Sequence, residues 1–165
     1  MKNCIVTHPE SSSDALSIAE FQVQMAWETE GVKLDLATVR QGVEMAMADP
    51  DVKGRYFIAK TTEEIVLADG RVLAAGSVVG SLFVTREWSD WHCEWYWWIQ
   101  SVYISPDCRR QGIYRSMYGQ VVAEAKEAHV PQVRLYVERT NLRAQKTYQS
   151  QGMQESHYLL YEADI

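Results

Sequence analysis

Three groups of side chains in this 165-residue chain have types and spacings that could do chemistry. The first is Arg109-Arg110-Gln111-Gly112-Ile113-Tyr114-Arg115, a basic loop with one glycine that runs into a helical pattern. Unpaired N–H groups and the dipole at a helix start attract anions, glycine lets a ligand approach the backbone, and arginines donate to phosphate oxygens. No Gly-Lys-Ser/Thr and no Gly-x-Gly-x-x-Gly follows, so neither a nucleotide-hydrolysing loop nor a dinucleotide site is written here. On these residues alone, a solvated loop is an equal reading. The second group is Asn141 and Tyr148, seven residues or two helical turns apart, so both side chains can face one cleft. A phenol can donate a proton to a departing thiolate. Taken alone, a core tyrosine beside a capping asparagine is the favoured reading. The third group is a set of carboxylates, Glu28, Glu30, Glu87, Asp90 and Glu94, with Trp88 and Trp91 among them. Such groups can take a proton from an amine, or hold a cationic amine against aromatic faces. Each carboxylate is otherwise a surface charge, and the tryptophans are otherwise sheet packing or a homodimer surface.

The elements that must position these groups follow from periodicity. Ser11-Ser12-Ser13-Asp14 supplies helix-capping residues, and Leu16, Ala19, Val23 and Ala26 predict a helix over about 13–29. Leu36, Val39, Val43 and Met47 predict a second, ending before Asp49-Pro50. Strands are predicted at 56–59 and 78–84, with an Asp69-Gly70 hairpin at 65–73 between them. A short apolar piece at Cys4-Ile5-Val6 could be a first strand, and residues 87–91 read as a loop. The densest apolar run, 95–104, reads as a strand that breaks at Ser105-Pro106-Asp107 ahead of the basic loop. A helix to about His129, a strand at 133–137, a short helix from Asn141 and a last strand at 157–161 complete the chain. The order predicts an α+β single domain over 1–165, a mixed, mostly antiparallel sheet flanked by helices.

Composition excludes several classes. Hydrophobic residues at 47% and charged residues at 23% describe a globular chain rather than a disordered one. A net charge of -6 argues against nucleic acid as partner. Cys4, Cys93 and Cys108 are odd in number and widely spaced, which fits a reducing compartment. His92 and Cys93 would point to opposite faces of a strand, so no metal is expected. No apolar run reaches membrane-spanning length, so a cytoplasmic protein with no membrane partner is expected.

Taken together, the motifs resemble the GNAT superfamily of acyl-CoA-dependent N-acetyltransferases. The resemblance rests on Val102-Tyr-Ile-Ser-Pro-Asp, Arg109-x-x-Gly112, the helix after it, Leu135-Tyr-Val-Glu, Asn141, Ala144, Tyr148, Gly152 and Met153. It is specific over about 95–162, leaving 13–50 and 85–95 as the acceptor side. It implies acetyl-CoA as co-substrate, with its pyrophosphate on the backbone of Arg110, Gln111, Gly112, Ile113, Tyr114 and Arg115. The backbone of Val102, Tyr103 and Ile104 would bond the pantetheine arm, Asn141 would meet that arm, and Tyr148 would protonate the leaving thiolate. Two departures stand out: Tyr114 replaces the small residue that usually ends the loop, and Trp98 stands where some relatives carry a glutamate base. Glu94 shares strand parity with Trp98 and Gln100 and is the strand's own candidate for that base, while Glu28, Glu30, Glu87, Trp88 and Asp90 are candidates to frame the acceptor. The activity implied is direct transfer of an acetyl group to a primary amine, on a small molecule or a protein, with cationic small molecules mildly favoured. A non-catalytic acyl-CoA sensor of the same fold is the alternative.

Overall fold

A computed structural model describes residues 3–163, which divide into two compact units, one through Leu135 and one from Tyr136 onward. In the first unit, β1 (Cys4–Thr7), β2 (Arg55–Thr61), β5 (Val78–Ser89), β6 (Glu94–Ile104) and β7 (Val133–Leu135) form one sheet in the order β1-β2-β5-β6-β7. All neighbours are antiparallel except β6 and β7, which are parallel. β3 (Ile65–Val66) and β4 (Val72–Leu73) make the small separate hairpin expected around Asp69-Gly70.

Alternation along the strands gives the sheet two apolar faces. Phe57, Ala59, Leu82, Val84, Trp97 and Ile99 pack with Ile113, Met117, Val121 and Ala125 of α3 (Ile113–Glu127). Tyr56 and Ile58 pack on the opposite face with Ala15, Ile18 and Ala19 of α1 (Ser12–Glu30) and Val43 and Ala46 of α2 (Leu36–Ala48). Phe57, Ile18, Ile58, Leu82 and Met117 are fully buried, each worth about 1.5–3 kcal/mol in apolar surface removed from water. The helix ends follow from local chemistry. Ser11 and Asp14 form a reciprocal capping box for α1, Gly31 closes it in a left-handed conformation, and Asp35 caps α2.

Three expectations change. Residues 87–89 are strand rather than loop, because Arg86, Glu87, Trp88 and Ser89 continue the ladder opposite Trp97, Tyr96, Trp95 and Glu94. The turn between β5 and β6 is only residues 90–93, with Cys93 at φ 53. The predicted strand at 133–137 is cut to three residues. Residues 157–161 form no strand: Tyr158, Leu159, Leu160 and Tyr161 are exposed, and no strand of the described chain pairs with them. In the second unit, α4 (Leu142–Ser150) starts at Asn141, whose side chain caps it, and Gly152 follows its end with φ 86.

Candidate active site

The site begins with an irregularity in β6. Phe83 pairs with Ser101 and Val84 with Ile99, so Gln100 is one residue too many and bulges from the ladder. Beside this bulge, pairing between β6 and β7 stops at Ile99–Leu135, while β6 runs on to Ile104. From Ser101 to Ile104 the strand is paired to β5 along one edge, and no strand among the described residues pairs with the other. An extended chain carrying amides could bond there as a further strand would. β5 fits tightly beneath this end, where a Cβ on Gly80 would stand 2.6 Å from Cδ1 of Ile104.

The open edge leads into the basic loop. Ser105 N–H donates to the carbonyl of Val79 (2.9 Å), and Pro106–Cys108 forms one tight helical turn that buries Cys108. Arg110 (φ 64) and Gly112 (φ 81) are both left-handed, which is strained for an arginine and ordinary for a glycine. Gly112 is the N-cap of α3 and offers no side-chain cap, whereas Ser11, Asp35 and Asn141 cap α1, α2 and α4. The start of α3 therefore carries its helix-end positive charge with no side-chain cap, and the exposed side chains of Arg110 and Arg115 stand beside it in sequence. Tyr114, the unusual residue here, packs against the α3 core and stacks on Tyr118 (ring centroids 5.9 Å), so its bulk is taken up by protein. Open strand edge, uncapped helix start and inward-packed Tyr114 together fit an acyl-CoA donor.

Arg109, by contrast, is engaged within the protein. Its Nε donates to the carbonyl of Ile104 (2.9 Å) and its Nη2 to Oε2 of Glu28 (2.7 Å). Oε1 of Glu28 accepts from the hydroxyl of Tyr103 (2.6 Å), which also lies 3.1 Å from Oε1 of Gln24. The Tyr103 bond, then Arg109, holds the Glu28 carboxyl below the usual carboxylate range. Burial, then Glu28, pushes the Tyr103 phenol up to about 12.

The α1-facing side of β6 carries a polar row. Gln100 Nε2 donates to Oγ1 of Thr85 (2.7 Å), and Gln22 Nε2 donates to Oγ of Ser101 (3.0 Å). The indole N–H of Trp98 donates to Glu87, whose carboxylate lies 3.6 Å from Nη1 of Arg134. The Arg134 guanidinium sits 3.8 Å over Tyr96 and 5.6 Å from the Trp98 ring. The cationic place on this aromatic surface is thus filled by an arginine of the chain itself.

Other expected site residues are dispersed. Trp88 lies on the opposite strand face from Glu87, edge-on to Trp95 (5.1 Å), with Arg86 4.9 Å from the Trp95 ring. Asp90 is exposed in the turn, and Glu30 is the exposed last residue of α1. Glu94 is the first residue of β6, opposite Ser89 and six residues from Gln100. At ~3.3 Å per residue that is about 20 Å of strand. In the second unit, Asn141 accepts from the N–H of Ala144 (3.0 Å), and burial pushes the phenol of half-buried Tyr148 up. Gln22, Gln100, Ser101 and Arg134 escaped the sequence reading. Their signal was faint: a lone arginine and a Gln-Ser pair inside apolar strands, and one glutamine on a helix read by its apolar side. No group of three or more His, Cys, Asp or Glu among the described residues could hold a metal, and none of the described helices is long and apolar enough to cross a membrane.

Residues 41–153 match the family model described as Acetyltransferase (GNAT) family. The fold is similar to that of a possible acetyltransferase from Clostridium difficile 630, at TM-score 0.81 and 30% identity over 99% of this chain and 98% of that one. A ribosomal-protein-alanine N-acetyltransferase from Brucella melitensis biovar Abortus 2308 aligns at TM-score 0.68 and 15% identity, covering 99% and 98%. An aminoglycoside N-acetyltransferase in complex with CoA aligns at TM-score 0.72 and 12% identity, covering 98% and 94%. No curated protein matches the sequence.

Proposed function

This chain belongs to the GNAT acetyltransferase family and is an N-acetyltransferase, and we propose that it passes the acetyl group of acetyl-CoA directly to a primary amine. The observation that carries the reading is the open edge of β6 beyond the Gln100 bulge, running into the uncapped start of α3. Acetyl-CoA supplies the activated thioester; everything else is the work of the chain. The N–H groups of Arg110 to Arg115 hold the pyrophosphate, with Arg110 and Arg115 adding charge. The backbone of Val102, Tyr103 and Ile104 holds the pantetheine arm, and an N–H on this strand faces the oxygen that gains charge in the transition state. Asn141 meets the arm, and Tyr148 donates the proton that the leaving sulfur needs. Its raised pKa keeps that proton in place at neutral pH.

The amine must lose a proton before it attacks. Glu87 is the carboxylate that suits this step, directly or through water. It lies two residues along β5 from Thr85, which bonds Gln100 at the bulge, about 7 Å of strand. The Trp98 N–H orients it. Glu94, at the far end of β6, does not suit the role. The acceptor we propose is a small-molecule amine lying against Gln22, Thr85, Gln100 and Ser101, in the class that includes the aminoglycosides acted on by one structural neighbour. The exposed Trp91 and Trp88 near the β5–β6 turn offer a surface for a second copy of the chain, and an odd number of widely spaced cysteines suits the reducing cytoplasm.

The test is thermal denaturation with acetyl-CoA, followed by thiol release over an amine panel. Ligand at 100–1,000 times its Kd should add roughly 2.7–4 kcal/mol. No stabilisation at millimolar ligand would sink the donor reading. Stabilisation with no thiol release from any amine would point to a sensor instead.

A further inference from the structure

Arg109 stands in the basic loop, yet its guanidinium turns to the protein. Nε holds the carbonyl of Ile104, the last residue of β6, and Nη2 holds Glu28 on α1. The guanidinium carbon lies 5.2 Å from the ring centroid of Tyr103, and Glu28 returns to Tyr103 through its other oxygen. Tyr103 is 4% exposed, so this end of the assembly is anchored in the core. Phe21 of α1 packs on the same ring at 5.2 Å. Both oxygens of Glu28 and two of the three nitrogens of Arg109 are therefore engaged with each other or with β6. A cationic acceptor would have to displace Arg109 to reach Glu28. We infer that Arg109, Glu28 and Tyr103 form a positioning strut that fixes the end of β6 along which the pantetheine arm is bound, so that Arg109 is not a phosphate ligand and Glu28 is not an acceptor ligand. The inference rests on the acyl-CoA reading of the β6 edge.

The geometry says why these residue types are used. The flat guanidinium can serve a backbone carbonyl and a carboxylate at once while stacking on a ring, which an ammonium cannot do. At 37% and 38% side-chain exposure the ion pair itself adds little stability. Its effect is to remove slack from Ile104, in the part of β6 that has a strand on one side only.

Calorimetric titration of the full chain with two probes separates the roles. Coenzyme A touches both the β6 edge and the loop; ADP carries a pyrophosphate but no pantetheine arm. Arg109→Lys keeps the charge and loses the fork. It should weaken coenzyme A about fivefold, or about 1 kcal/mol, and leave ADP within about twofold. Glu28→Gln still offers Tyr103 an acceptor but frees Arg109. It should show the same selectivity with a smaller loss, and the double variant should be no worse than Arg109→Lys alone. Equal losses for both probes would make Arg109 a phosphate ligand and overturn the strut, as would no loss for either. A Glu28→Gln variant altered only in acceptor KM would overturn it too. If Arg109→Lys lowers the melting temperature sharply, Glu28→Gln carries the test alone. If the unmodified chain binds neither probe, the acyl-CoA site itself is wrong and the strut falls with it.

Discussion

Replacing Gly112 by Asp and by Asn should separate the electrostatics of the loop from its shape. Gly112 has φ 81, so any side chain there meets the left-handed penalty of roughly 1–2 kcal/mol, which Asn and Asp bear best. As N-caps, Asn and Asp improve on Gly by only a few tenths of a kcal/mol, so the backbone penalty dominates. Both variants should therefore melt a few degrees below the parent and close to each other. They differ in one charge. A carboxylate about 5 Å from one phosphate charge, at an effective dielectric of ~20, is repelled by about 3 kcal/mol, a factor of about 100 in Kd. Gly112→Asn should bind coenzyme A within about tenfold of the parent, and Gly112→Asp about 100-fold more weakly than Gly112→Asn. In ~1 M salt, where the Debye length falls to ~3 Å, the gap should close substantially. Calorimetric titration at two salt concentrations measures all of this. Equal affinities for the two variants at low salt would mean that no phosphate lies at the start of α3, and the loop assignment would fail.

Tyr148→Phe should lower kcat at least tenfold with a reactive amine while leaving coenzyme A affinity nearly intact, since general acid catalysis contributes ~10²–10⁴; unchanged turnover would remove the phenol as the acid. Glu87→Gln keeps an acceptor for the Trp98 N–H but cannot take a proton, so kcat/KM should drop at least about tenfold, and an unchanged kcat/KM would send the proton elsewhere. The phenols of Tyr103 and Tyr56 are pushed up to about 12 in the folded chain against an ordinary value near 10. An unfolded chain thus ionises first, and stability should fall between pH ~10 and ~12; Tyr103→Phe should flatten part of that decline in alkaline denaturation curves. Glu28 shifts the other way, so its contribution is complete above about pH 4.5 and is lost as pH falls through its lowered value; Glu28→Gln should reduce the acid sensitivity of the melting temperature.

Local signals in the sequence were enough for most elements. Capping residues, prolines and 3.6-residue spacing located α1 and α2 within a residue or two, because helix ends are decided by side chains close in sequence. The long β5–β6 hairpin was missed because Glu87, Trp88 and Ser89 become strand only through their partners across the ladder, and no local feature announces that pairing. The same dependence explains residues 157–161: an apolar run has strand propensity, but a strand also needs a neighbour. At the site, the chemistry of the 109–115 loop could be read directly, whereas the state of its charges could not. Glu28 and Arg109 are 81 residues apart, and Glu87 and Arg134 are separated by 47; each looked like a free charge in the sequence. That is why an acidic, aromatic acceptor pocket was expected where the folded chain has already paired those carboxylates with arginines.

The extra residue at Gln100 also resets the phase of β6. Before it, the odd-numbered Trp97 and Ile99 face the α3 core; after it, the even-numbered Val102 and Ile104 do, while Ser101 and Tyr103 turn to Gln22 and Glu28 on α1. One strand therefore carries two incompatible reading frames joined at a single residue. Deleting Gln100 would leave the remaining residues in regular alternation, whereas drawing it into the ladder opposite Phe83 would rotate everything from Ser101 to Ile104 by half a turn, setting a tyrosine hydroxyl and a serine into the α3 core and valine and isoleucine against the polar side of α1. For this strand, counting residues matters as much as choosing them.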